Sequence, residues 1–255
     1  MEKKSETVRS VEKALDIILA FSEDRTQLSL LEICKLINMP KSTVYRLLTT
    51  LQNRGFIENN SITGKYQLGP PFIRLSNIAL KNYDLKEVAL PVMVELRDKT
   101  GETINLYAKR NSERVCIEQV EGLHNLRRFS AIGDVLPLYC GASGKLLLAF
   151  QPEEEIDKVV KETGLKSWTE NTITDYPAFK LELKKIRDQG FAFSTSEREL
   201  GVTSVAAPIR DHSGATVAAL SISGPDVRFT QENLKNYQSL VTDSAKKISL
   251  DLGYN

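Results

Sequence analysis

Apolar positions along the first sixty or so residues recur at helical intervals and then alternate. Val8, Val11, Leu15, Ile18 and Leu19 lie three or four apart, which predicts an amphipathic helix over about 7–21. The run SLLE, Ser29–Glu32, has the form of a capping box and predicts a short helix through Leu36. Asn38-Met39-Pro40 then breaks the chain, because the residue before a proline is driven out of the helical region. A third helix follows over about 41–53. It gathers Val44, Leu47, Leu48 and Leu51 on one face and Ser42, Arg46, Thr49 and Asn53 on the other, with Tyr45 and Thr50 flanking. Gly55 suits its left-handed C-terminal cap. FIENN-SITG-KYQLG reads as two short strands around a polar turn, a hairpin.

Past Pro70-Pro71, FIRLSNIALKNY predicts a linking helix. DLKEVALPVMVELRDKTG predicts another, capped by Asp84 and Glu87 and kinked at Pro91. From Glu102 the period changes to two: TINLYAKR, ERVCIEQVEG, GFAFSTS, TSVAAPIRD and ATVAALSIS alternate apolar and polar residues. Helices are expected between and after these strands over about 142–150, 153–163, 177–189 and 231–252, the last capped by Thr230. The chain therefore reads as α+β, with a helical module ending in a hairpin (residues 1–69), a linker helix (70–84) and a larger mixed α/β domain (85–255).

Charge enters locally rather than globally. Lys plus Arg number 34 against 33 Asp plus Glu, so any electrostatic partner must be met by a patch. No run approaches the roughly 18–20 apolar residues of a membrane span, and the N-terminal stretch lacks the apolar centre of a signal peptide. Three scattered cysteines without a CxxC pair, and two histidines, give no disulfide framework or metal site and suit a reducing cytoplasm. Neither a membrane partner nor a cofactor is expected.

The patch is the third helix. From Ile33 to Ile57 there is no Asp or Glu, while Lys35, Lys41, Arg46 and Arg54 fall inside. A carboxylate there would meet DNA phosphates as a like charge, so its absence is what a surface lying on duplex DNA needs. Arg46 suits bidentate contact with guanine; Ser42, Thr43 and Thr49 suit phosphates or base edges. A short helix, a tight turn and this helix make a helix-turn-helix, and the hairpin becomes a wing whose Lys65 can reach backbone phosphate. A solvated polar face with chance cations is the plainer alternative, as is a winged helix that binds protein.

These residues resemble a known family. SVEKALDIILAF, LSLLEICKLINMPKSTVYRLLTTLQNRGFIE and GKYQLG look like the winged helix of IclR-type transcriptional regulators. LPLYCGASGKLLLAF resembles the family's effector loop, and GFAFSTSERELGVTSVAAPIRD its signature run, matching at Gly190, Ser194, Glu197, Ser204, Val205 and Ala206. Arg210 departs from the aromatic residue usual there. The resemblance implies a homodimer or dimer of dimers on double-stranded operator DNA, a GAF-like effector-binding domain, and repression as the commoner outcome. It also places operator contacts on Lys41, Ser42, Thr43, Tyr45 and Arg46.

CGASGK, Cys140–Lys145, opens a helix, where free amides and the positive helix end favour an anion. LSIS puts Ser221 and Ser223 on one side of a strand. If loop and strand face each other, hydroxyls and amides can hold a small carboxylate, with Leu136 and Val202 among its walls. The family's effector positions fall on Leu136, Ala142, Ser143, Ser194, Val202, Ser204, Ser221 and Ser223. Small residues at a helix start equally serve close packing, and strand serines equally satisfy backbone groups. Lys145 is expected to cap or pair, and Glu197 to form an ion pair with Arg198 that fixes the loop. An enzyme is not expected: GASGK lacks P-loop spacing and GASG is not the hydrolase elbow. The rival is a metabolic enzyme with a winged-helix head using Cys140, for which His124 and His212, both in polar loops, are the sole bases.

Overall fold

The computed structural model describes residues 7–22, 24–82, 85–128 and 130–254. They fall into two compact units, Met1–Asn82 and Tyr83–Asn255.

The first unit runs α1 (Arg9–Leu19), α2 (Leu30–Leu36), α3 (Lys41–Asn53), β1 (Ile57–Asn59), β2 (Tyr66–Leu68) and α4 (Pro71–Asn82). Both limbs of the capping box form: the Glu32 amide donates to Ser29 Oγ (3.3 Å) and the Ser29 amide to Glu32 Oε2 (2.7 Å). Asn38 adopts φ +49° in the α2–α3 turn, a conformation its short polar side chain tolerates. Ile17, Leu28, Ile33, Val44, Leu48, Ile57 and Tyr66 make the core. Leu28 pairs with Tyr66 through both backbone hydrogen bonds (2.9 and 2.7 Å), so the wing is tied to the approach of α2.

The apolar stripe of α1 lies largely in the open: Val8, Val11, Leu15 and Leu19 are 51–78% exposed and Ile18 is half-buried. Ile17 and Ala20 carry the burial instead. Ile17 is turned about 200° from Leu15 at helical spacing. Periodicity located an apolar stripe correctly but could not say what covers it.

The second unit comprises α5 (Leu85–Thr100), β3 (Thr103–Arg110), β4 (Glu113–Val120), β5 (Val135–Pro137), α6 (Ala142–Ala149), α7 (Glu153–Thr163), α8 (Tyr176–Gln189), β6 (Ala192–Thr195), β7 (Val202–Arg210), β8 (Thr216–Pro225), a 3-10 turn (Asp226–Arg228) and α9 (Gln231–Asp251). Six strands form one antiparallel sheet in the order β5-β4-β3-β8-β7-β6. Alternation sorts its side chains. Ile104, Leu106, Val205, Ala207, Ile209, Ala218, Leu220 and Ile222 face α5 and α9. Tyr107, Cys116, Ala192, Ala206 and Ala219 belong to the other face, under α6 and its neighbour α8.

The α5 helix runs as one element through Pro91, with Glu87 in its first turn; the Asp84 cap falls outside the described residues. Thr230 caps α9, its Oγ1 accepting from the Asn233 amide at 3.3 Å. β5 was not anticipated, because three residues ending in proline carry no readable alternation; it is an edge strand paired with the start of β4. No helix among the described residues is long and apolar enough to cross a membrane.

Candidate nucleic-acid face and ligand cavity

On α3, Val44 and Leu48 are fully buried, Leu47 and Leu51 partly so, and the opposite face is open. Lys41, Ser42, Tyr45, Arg46 and Thr49 are exposed, while Thr43 and Lys65 are half-buried. Among the described residues Lys41 and Arg46 form no ion pair. The acid-free window therefore corresponds to a real surface of uncommitted cations and hydroxyls. Thr49 is the exception in detail: its hydroxyl donates to the Tyr45 carbonyl at 2.9 Å, as Thr50 does to Arg46 at 3.0 Å. That leaves Thr49 Oγ1 only as an acceptor, able to meet a base amino group but not a phosphate.

The distal unit holds a partly open cavity of about 50 Å³, room for only a small molecule. All eight positions that the family resemblance implies line it: Leu136, Ala142, Ser143, Ser194, Val202, Ser204, Ser221 and Ser223. Strand register explains the convergence. Ser194 lies opposite Ser204, and Ser204 opposite Ser223, so three serines form one rung across β6, β7 and β8. The next rung is Ala206, Ser221 and Asn105. These rungs lie on the face that carries α6, beyond the N-terminal end of that helix, where Ala142 and Ser143 close the cavity.

Sequence reasoning missed Asn105, Tyr107, Arg114, Arg128 and Ser130, which also line it. Arg114 is 4% exposed. Its Nη1 donates to the carbonyls of Pro137 (2.5 Å) and Cys140 (2.7 Å), and its guanidinium lies 5.3 Å from the Tyr107 ring centroid. Burial pushes its pKa down from the usual arginine range. Glycine at 144 is what lets it in: a Cβ there would collide with Nη1 and stand 2.7 Å from the Leu138 carbonyl oxygen and 2.9 Å from that of Pro137. Asn105 Nδ2 donates to Ser223 Oγ at 3.0 Å, and its Oδ1 is buried without a partner among the described residues.

Lys145 pairs, as its sequence setting implied, but the expected Glu197–Arg198 pair does not form. Lys145, 1% exposed, directs Nζ to Glu182 Oε1 (2.7 Å), Glu197 Oε1 (2.5 Å) and the Phe193 carbonyl (3.0 Å), which uses all three of its protons. Glu197 Oε2 accepts from the Gly141 amide at 2.9 Å. Glu197 thus fastens the 196–199 loop to the start of α6, because a buried ammonium offers a stronger partner than a half-exposed arginine. Arg198 instead meets Glu199, which also pairs with Arg128.

Cys140 is buried, and burial raises its thiol pKa; Cys116 is pushed up to about 11 for the same reason. Both histidines are exposed. A protonated, buried thiol is a poor nucleophile. Arg210, where the resemblance leads one to expect an aromatic residue, stacks its guanidinium 4.6 Å from the Phe150 ring centroid and donates to the Gly214 carbonyl at 3.0 Å. A flat cation fills the place of a flat ring.

Residues 10–61 match the family described as "IclR helix-turn-helix domain", and residues 77–250 match "Bacterial transcriptional regulator IclR C-terminal". The chain is 36% identical over 255 residues to the HTH-type transcriptional regulator KdgR of Escherichia coli K12, covering 100% of this chain and 97% of that one. It is 33% identical over 245 residues to the HTH-type transcriptional repressor AllR of Salmonella typhi, covering 96% and 90%. Among solved structures, an IclR-type regulator from Silicibacter sp. TM1040 superposes with a TM-score of 0.89 at 27% identity, covering 96% of both chains.

Proposed function

The chain belongs to the IclR family of bacterial transcriptional regulators, and from that premise we propose which surfaces carry the regulation. Lys41, Ser42, Thr43, Tyr45, Arg46 and Thr49 on α3 contact operator DNA, with Lys65 of the wing on a phosphate. The distal cavity binds a small carboxylate effector between the amides at the start of α6 and the hydroxyls of Ser221 and Ser223. Leu136, Ala142, Ser143, Ser194, Val202 and Ser204 complete its wall. One observation carries this reading: eight positions scattered between 136 and 223 line one small cavity in a unit separate from the acid-free helix.

Effector binding changes transcription only if the ligand prefers one of the DNA-competent and DNA-incompetent states. Repression is the direction that the name of the AllR relative supports. The assembly is a homodimer or dimer of dimers. The exposed stripe Val8, Val11, Leu15 and Leu19 supports this, since a soluble chain seldom leaves such a helix face in water. The helix Pro71–Asn82 serves as the linker. The burial of Cys140 argues against the alternative of an enzyme built on that thiol.

The test separates the two surfaces. Arg46→Ala weakens operator binding by about 1–3 kcal/mol, read by titration at fixed salt, and leaves effector binding in place. Ser143→Leu and Ser221→Leu abolish the ligand response and leave operator affinity intact. Undiminished operator affinity in Arg46→Ala, or a normal response in both serine variants, overturns the corresponding half.

A further inference from the structure

The cavity contains a cation that forms no direct ion pair among the described residues. Arg114 is buried, and among the described residues no Asp or Glu forms an ion pair with it. Its Nη1 is spent on two carbonyls; among the described residues its Nε is buried without a hydrogen-bond partner and its Nη2 donates to none of them. The other two cations that line the cavity, Arg128 and Arg198, share Glu199, and the lining carboxylate Glu197 is taken by Lys145, which lies behind the wall and also pairs with Glu182. The cavity lining thus carries three cations (Arg114, Arg128, Arg198) against two carboxylates (Glu197, Glu199), one negative charge short. A desolvated charge without its counter-charge is costly, and the Tyr107 ring offsets only part of that. The second orphan is Asn105 Oδ1, a buried acceptor with no donor among the described residues. Both atoms belong to residues that line the same space.

From these two orphans we infer that Arg114 is the counter-charge for the effector's anionic group and Asn105 Oδ1 the acceptor for a donor on the same ligand. The effector is a small monoanion carrying a hydroxyl or N–H donor and no ammonium, since a second cation beside Arg114 would be repelled. Gly141 and Gly144 bring the α6 loop onto the guanidinium: a Cβ on Gly141 would stand 3.1 Å from Nη2, and one on Gly144 would collide with Nη1. The anionic group then meets the guanidinium and the amides at the start of α6 together. Ser221 and Ser223 orient the ligand; Arg114 and Asn105 select its charge and its donor.

This inference rests on the carboxylate reading of the cavity, and the experiment keeps the two apart. The full chain is titrated by thermal shift and calorimetry with lactate, glycerate and N-acetylglycine, with propionate as the acid lacking a donor and lactamide as the uncharged counterpart. At least one acid that carries a donor stabilises the wild type, propionate does so less, and lactamide does not; hydroxy acids against N-acetylglycine distinguish the hydroxyl from the N–H donor. Arg114→Met weakens the binding acid by at least about 30-fold, the effect of removing one partner of a buried charge pair. Arg114→Lys, which keeps the charge without the fork, still prefers acid to amide but binds more weakly than wild type. Asn105→Leu brings the acid with a donor down to the affinity of propionate.

Should Arg114→Met, folded by circular dichroism, bind within threefold or so of wild type while Ser143→Leu does not bind, this inference falls and the cavity reading stands. If lactamide binds as well as lactate, or no acid binds the wild type, both fall. Where Arg114→Met does not fold, Arg114→Lys decides: wild-type affinity, or loss of the acid preference, overturns the role.

Discussion

The outer face of α3 and the lining of the distal cavity both present cations and hydroxyls, yet they are built on opposite terms. Arg46 and Lys41 stand in water on a helix whose stability rests on Val44 and Leu48 behind them. Arg114 and Lys145 are inside, held by carbonyls and carboxylates from segments far apart in sequence. On the exposed face a charge is free to serve a partner, and its removal leaves the fold alone. In the cavity each charge is part of the packing, so function and stability are coupled. The acid-free window keeps like charge off the phosphates; the cavity keeps all but one of its cations matched.

The largest effect that would sharpen this contrast is on Lys145. Replacing it with Met strands Glu182 and Glu197 without a counter-ion, and the distal unit should lose about 3–5 kcal/mol. Urea unfolding followed through Trp168, the only tryptophan, reads that unit. A loss under about 1 kcal/mol would mean that the buried network is no more structural than the α3 surface.

A smaller effect is expected at Arg210. Arg210→Ala removes the stacking on Phe150 and should cost about 0.5–1 kcal/mol, whereas Arg210→Phe should recover part of the lost melting temperature. No recovery would show that the hydrogen bond to Gly214, not the flat contact, holds that corner. Smallest is Thr49→Val on the DNA face. With the hydroxyl proton already given to Tyr45, operator affinity should change by less than about 0.5 kcal/mol. A loss of about 1.5 kcal/mol or more, in the range of a hydrogen bond to a charged group, would show the hydroxyl turning to a phosphate in the complex.

The two regions were also legible to different depths. The α3 face could be drawn from thirteen consecutive residues, since a helix makes sequence neighbours into surface neighbours. The serines of the cavity were found through resemblance and strand alternation. Arg114 was missed although the signal lay in plain view: in ERVCIEQV it shares its parity with Cys116, a charge on an inward face. The ion pair assigned to Glu197 and Arg198 failed for the converse reason. Adjacent residues in a loop point apart, and Lys145, 52 positions away, was nearer.

By itself the amino-acid sequence determined the helices with caps and breakers, the strands long enough to alternate, the acid-free window and the set of small polar residues around 136–145 and 194–223. Each depends on neighbours within a turn or a strand, where backbone sterics and burial periodicity act locally. Only the tertiary structure decided which stripe of α1 is covered, which strands are adjacent, which carboxylate pairs with which cation, and that among the described residues Arg114 forms no ion pair. Those outcomes depend on register and crossing in space, and a buried charge is matched or orphaned only by what the rest of the fold brings beside it.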